Sequence, residues 1–186
     1  MARVPYRQRS DARDDVAIYD RLERERKIPT PNIFLALAHA PAQLDGLLTY
    51  AKSLRAAGEL GKELRELAIL SMSYARGGGY ISAHHEKDAI QAGITAEQLA
   101  VLRQQGDPTY AFSALQTAVI ELGRSVGLGR SVTQEQWDAA AKHLDHKQMV
   151  QLTMTLCWYM QGEIMTQILD LDTEPDYQPQ LPAAKT

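Results

Sequence analysis

The sequence predicts an all-α fold, and three observations carry that prediction. No segment shows the strict apolar/polar alternation of a half-buried strand, and Val, Ile and Thr are scattered rather than clustered. Capping-box patterns recur, Thr95 with Gln98 and Thr133 with Gln136. Glycines stand where periodic runs end, at Gly58, Gly77 to Gly79, Gly93, Gly106, and Gly127 with Gly129. With 186 residues, 45% hydrophobic and 23% charged, the chain is long enough to close one core and has an ordinary globular composition.

In chain order, the first 27 residues carry eight basic and six acidic side chains. Val16, Ile18, Tyr19 and Leu22 are the only apolar residues of note after Asp11, so a short solvated helix laid on the body is expected, within an N-terminal extension over 1–29. Asn32 opens a helical run to Ala38, and Pro41 sits at a first-turn position. Helices are then expected at about 41–57, 61–76, 80–92, 95–105, 110–127, 133–144 and 146–170, making seven to nine in all. The main domain spans 30–175. The stretch Asp172–Thr186 holds Pro175, Pro179 and Pro182 and cannot continue a helix, so an extended strap ending in a flexible tail over 176–186 is expected.

Two helices read as buried on most sides. From Leu64 to Ala75 the only polar groups after Glu66 are Ser71, Ser73 and the Tyr74 hydroxyl, which suits the centre of a bundle or a subunit contact. The last helix carries Met149, Val150, Leu152, Met154, Leu156, Cys157, Trp158, Tyr159 and Met160 over more than one face. A homo-oligomer is therefore expected, with a central helix of a monomer as the alternative.

Charge and composition exclude several function classes. Twenty basic against 23 acidic side chains give a net charge of −3, far from the basic surplus that phosphate neutralisation needs, so nucleic acid is not an expected partner. The longest uncharged stretch near the C-terminal end, Gln148–Gly162, is shorter than the roughly 20 apolar residues of a membrane span and contains three Gln and two Thr. Residues 1–15 alternate Arg and Asp with no apolar core, which points away from a signal peptide and towards the cytoplasm. The single cysteine, Cys157, cannot form an intramolecular disulfide.

The residues suited to chemistry fall close together. Glu66 is the one charge before a continuous apolar run, and it shares a helix side with Glu63, so one of the two can point inward while the other is solvated. The next helix begins with Tyr80, His84, His85 and Asp88, a concentration of proton-transfer groups. Adjacent histidines point about 100° apart on a helix, so they are not expected to face one pocket. His85, in line with Ala89 and Ala92, is the inward candidate, and His84 pairs with Asp88 at the surface. The other reading of His85 is a satisfied core histidine. No metal is expected, because His-His-Glu at consecutive positions does not converge on an ion, and His143 and His146 read as groups at helix ends. The triple glycine lacks the frame of a phosphate loop and reads as a turn. Ser82, His85 and Asp88 can be written as a triad, but no nucleophile elbow accompanies them.

The stretch from Leu64 to Gly93, LRELAIL…GGGYISAHHEKDAIQAG, resembles the carboxymuconolactone decarboxylase family, whose all-helical fold includes the alkylhydroperoxidase D type. Pro31-Asn32-Ile33-Phe34, Ala38-His39-Ala40-Pro41, Trp158-Tyr159, Leu171 and Glu174-Pro175 agree in order and spacing, extending the resemblance over about 30–175. The resemblance places Glu66 as the family's acid, Tyr80 as the polar or aromatic residue after the turn, and His85 as the histidine on the following helix. The peroxidase branch carries a Cys-x-x-Cys pair where this chain has Gly78 and Ile81, so its thiol mechanism is not expected here.

What remains resembles the non-redox branch, in which a carboxylated lactone loses carbon dioxide without a cofactor. The resemblance then implies His85 as proton donor, Glu66 as its orienting carboxylate, Tyr80 as donor to a developing oxyanion, and Phe34, Leu70 and Trp158 as pocket walls. It also implies a trimer or hexamer. Two features depart from it: Ser82 stands where relatives often place an aromatic residue, and no arginine is obviously placed for a substrate carboxylate, Arg65 and Arg76 being the nearest candidates. The expected function is a cofactor-free lyase or isomerase acting on a small carboxylated lactone or unsaturated acid. The alternatives are a non-catalytic oligomeric binding protein on the same scaffold and a peroxidase using Cys157 with an external thiol.

Overall fold

Four reciprocal caps set where the chain turns into helix. Thr95, Ser113, Thr133 and Asp145 each accept a hydrogen bond from the backbone N–H three residues on, and the side chains of Gln98, Gln116, Gln136 and Gln148 answer back to the cap. The computed structural model describes residues 2–12, 15–26, 29–56 and 59–177. A short 3-10 turn (Arg9–Asp11) precedes α1 (Val16–Glu25), α2 (Asn32–Leu37), α3 (Pro41–Ala56), α4 (Lys62–Arg76), α5 (Tyr80–Gln91), α6 (Ala96–Gln104), α7 (Ala114–Gly127), α8 (Gln134–Ala141) and α9 (His146–Leu169). Among the described residues there is no strand, so the all-α expectation holds. The expected stop at Gly58 and most of the tail, 178–186, lie outside the described residues.

Helix α4 is the centre of the bundle, packed against α7, α5 and α9. Every residue from Glu66 to Tyr74 is buried within this one chain, so the bundle-centre reading of that run is the right one. One expected boundary needs correcting here: the helix read as starting near 110 starts at Ala114, because Ser113 caps it. Its expected end at Gly127 is where α7 ends. A Cβ at Gly127 would also collide with the Met72 carbonyl, and Gly123 one turn earlier meets Ser71 and the Ala68 carbonyl. These two glycines let α7 lie unusually close on α4, whereas Gly77, with φ 74°, is a true left-handed helix stop.

The N-terminal segment does more than lie on the surface. Ile18, Tyr19 and Leu22 are buried in a second apolar cluster with Ala38, Leu44 and Leu48, each aliphatic side chain stabilising the docking by roughly 1.5–3 kcal/mol. Polar ties add register: Arg7 bonds Asp15 at 2.6 Å and the Ala38 carbonyl at 3.0 Å, and Arg21 bonds Asp45 at 2.5 Å. The two ends of the chain also meet, with Arg3 N–H donating to the Leu169 carbonyl and the Tyr6 hydroxyl to Asp172. Helix α1 docks on α3, and the segment after α9 lies on Asn32, Tyr80 and His84. Helix α9 buries Met149, Leu152, Leu156 and Tyr159 but leaves Val150, Met154, Ile164 and Ile168 exposed. Cys157, expected on a buried helix, lies on its exposed side.

Candidate active site

A cavity of about 420 Å³ opens between α1, α2, α3, α4, α5 and α9. Its volume is in the usual range for a small-molecule site. The apolar wall includes Ile33, Phe34, Leu37, Leu47 and Trp158, and the polar groups include Glu66, His85, Arg65, Arg55 and Arg26.

The Glu66 carboxylate is 3% exposed, held from one side by His85 and from the other by Arg65. His85 Nδ1 stands 2.7 Å from Glu66 Oε2, and Arg65 Nε donates to Oε1 at 3.3 Å. An ionised carboxylate only accepts, so the proton of that first contact sits on Nδ1 and the other ring nitrogen is left for the cavity. Tyr159 packs edge-on against the imidazole with ring centroids 4.7 Å apart, which fixes the ring plane. Burial raises the Tyr159 pKa, opposed by nearby Arg55. Glu63, the other acid on this helix side, accepts from Gln116 at 2.8 Å and takes no part.

Tyr80 also lines the cavity, but its hydroxyl donates to Glu174 at 2.8 Å and accepts the Ile33 N–H at 3.1 Å. Burial, followed by the Glu174 charge, raises the phenol's pKa. His84 is not a surface partner of Asp88. Both histidines line the cavity, because it is wide enough to take in two side chains 100° apart and because the segment after α9 covers His84. His84 Nε2 lies 2.6 Å from Glu174 Oε2, and its ring is stacked between Tyr80 and Tyr177 at centroid distances of 4.7 and 4.0 Å. The Asn32 N–H gives Glu174 a further bond at 2.5 Å. Burial works to raise the Glu174 pKa, but the bonds from His84, the Asn32 backbone and Tyr80 outweigh it and hold the carboxyl down at about 2.

Of the walls expected from the sequence, Phe34 and Trp158 line the cavity. Leu70 does not: one turn beyond Glu66, it is wholly buried in the main core. Ser82 is buried and donates to the Gly78 carbonyl at 2.9 Å, so it is no nucleophile. His143 and His146 are exposed and away from the cavity. Arg76 is absent from the lining, while Arg26 and Arg55, which sequence reading did not single out, are present. Their position depends on how the extension docks on α3, a long-range arrangement with no local signature. Among the described residues no three potential ligands gather as a metal site.

Gly78 has its own constraint. The buried Glu163 carboxylate, hydrogen-bonded by the Ser73 hydroxyl, fills the space that a Cβ at Gly78 would need. Burial raises the Glu163 pKa, against the Ser73 bond. A side chain at Gly78, one of the two positions at which the peroxidase branch carries a cysteine, would therefore have to displace the Glu163 carboxylate.

The fold is of the helical alkylhydroperoxidase D-like type. The model of the Carboxymuconolactone decarboxylase family matches residues 41–122, the segment that carries Glu66, Tyr80 and His85. No curated protein sequence matches the chain. Among solved structures, a cysteine-to-alanine variant of the debrominase Bmp8 in complex with 2,3,4-tribromopyrrole is similar with a TM-score of 0.76 and 16% identity, covering 91% of this chain and 90% of that one. An uncharacterized peroxidase-related protein with an alkylhydroperoxidase AhpD core, from Ralstonia eutropha JMP134, is similar with a TM-score of 0.69 and 21% identity, covering 95% and 94%. Both share the fold.

Proposed function

We propose that the chain is a cofactor-free acid/base enzyme, a lyase or isomerase acting on a small carboxylated lactone or unsaturated acid. The observation that carries the reading is the Glu66–His85 pair at 2.7 Å in the wall of an otherwise largely apolar cavity. In a decarboxylation the bond from the carboxyl carbon breaks, carbon dioxide leaves, and the electron pair passes through the conjugated system onto the lactone carbonyl oxygen. The resulting dienolate then takes a proton at carbon. His85, charged by solvent and oriented through Nδ1 by Glu66, supplies that proton from Nε2, and Glu66 stabilises the imidazolium. No electron acceptor beyond the substrate's own carbonyl is required. Phe34 and Trp158 exclude water from the departing carboxylate. Tyr80 takes the oxyanion role only by releasing Glu174, so in the resting geometry it is a positioning residue for the segment after α9.

The test is turnover of a panel of carboxylated lactones and unsaturated acids by the wild type and by His85→Ala, with carbon dioxide release and deuterium incorporation from solvent as readouts. A loss of about 10²-fold or more in kcat is expected, the usual contribution of a positioned acid. Unchanged turnover in His85→Ala overturns the proposal. The chain is also proposed to act as a homo-oligomer, supported by the exposed Val150, Met154, Ile164 and Ile168 along α9. Sedimentation at micromolar concentration showing only monomer refutes that.

A further inference from the structure

The guanidinium of Arg26 lines the cavity and takes no part in the acid/base pair. It sits at the C-terminal end of α1, its carbon 4.8 Å above the Phe34 ring, and its Nε–H is buried with no hydrogen-bond partner among the described residues. Neither Arg26 nor Arg55 has an ion-pair partner among those residues. The acids nearby are occupied: Glu66 by His85 and Arg65, Glu25 by Arg21 with Arg24 and Lys52, and Asp88 is itself engaged. Burial, and then the charge of Arg55, brings the Arg26 pKa down to about 10, so the group is still a cation at neutral pH, in a place that disfavours one.

A partly buried guanidinium that faces a cavity and has no ion-pair partner among the described residues is stabilised by an anion that enters the cavity, and its fork suits the two oxygens of a carboxylate. We infer that Arg26, with Arg55 beside it, is the carboxylate-anchoring subsite of this cavity, and that the ligand is a flat, ring-sized carboxylic acid whose apolar body lies against Phe34 and Trp158. A carboxylate held by guanidinium is stabilised as it stands, so the anchored acid group fixes the ligand and is not the one that leaves; in a decarboxylation the departing group is a second carboxylate, on the carbon that faces His85. Selectivity for acids then comes from the N-terminal extension, since α1 leads into Arg26, while the acid/base pair comes from α4 and α5. The inference rests on the reading of this cavity as a substrate site, but it makes a claim about binding that does not depend on turnover.

The probe is benzoate against benzamide, its uncharged analogue of the same shape, titrated into the full chain and followed by heteronuclear NMR shifts of cavity residues. Wild type is expected to bind benzoate about tenfold or more tightly than benzamide, a ratio that corresponds to about 1.4 kcal/mol. Arg26→Gln is expected to remove that ratio while benzamide binding and melting temperature stay as they were, and Arg26→Lys to restore part of it. Three results overturn the inference: equal affinity for the two probes in wild type, no binding of either, or an unchanged ratio in Arg26→Gln. His85→Ala separates this claim from the acid/base proposal, since benzoate preference survives in that variant if Arg26 is the anchor, whatever happens to turnover.

Discussion

Glu174→Gln is expected to loosen the segment after α9 and to do so in a way that depends on pH. The carboxylate accepts from His84, Tyr80 and the Asn32 N–H at 2.6, 2.8 and 2.5 Å, and these bonds hold its pKa at about 2 against an ordinary glutamate value near 4.3. A difference of about 2 units corresponds to roughly 3 kcal/mol of linkage at most. The side chain is 13% exposed and the segment lies at the surface, so screening brings the expected effect to on the order of 1–2 kcal/mol. Because the folded pKa is the lower one, the stabilisation is fully present above about pH 5 and is lost as pH falls through about 2. The assay is urea unfolding of wild type and Glu174→Gln at several pH values, with amide exchange of residues 172–177 to catch local opening. The gap between the proteins should be widest near neutrality and close towards pH 2. A gap that is absent at neutrality, or that does not change with pH, refutes the reasoning.

Three further outcomes are expected. Gly78→Ala should cost about 1–3 kcal/mol by thermal unfolding, since its Cβ needs the place of a carboxylate that is buried and bonded to Ser73, and the cost should be much smaller in a Glu163→Ala background. Glu163 has a raised pKa in the folded state, so its stabilising contribution is complete below the unfolded value near 4.3 and falls as pH rises through the folded value; Glu163→Gln should flatten that part of the stability–pH curve. Gly127→Ala should destabilise by about 2 kcal/mol or more, because the atom it meets is the Met72 backbone carbonyl, which cannot move aside as a side chain can.

The helices were legible because capping and periodicity are local. Thr95 and Thr133 mark their helices through Gln98 and Gln136, and Ser113 with Gln116 and Asp145 with Gln148 carry the same signal; only the start expected near 110 falls too early, ahead of the Ser113 cap. Glu66 and His85 were legible as candidates from composition and resemblance, but their contact is a tertiary fact about how α4 and α5 cross. His84 was misassigned for a related reason. Helix geometry separates it from His85 by 100°, yet what decides whether it is buried is the segment carrying Glu174 and Tyr177, about 90 residues away. Arg26 and Arg55 have no sequence signature at all, since a charge-mixed segment reads as solvated until the docking of α1 on α3 turns one of its arginines inward. Gly127 ends its helix as its place in the sequence implies, but its second role, admitting the Met72 backbone, has no local signal.

The pairing of Glu66 with His85 is tested most directly by nitrogen-15 NMR of histidine-labelled protein at a pH where the His85 ring is neutral. The account predicts a proton on Nδ1 that is shifted downfield and protected, with Nε2 unprotonated, and loss of that protected proton in Glu66→Ala. A neutral ring with its proton on Nε2, or a signal unchanged in Glu66→Ala, would contradict it.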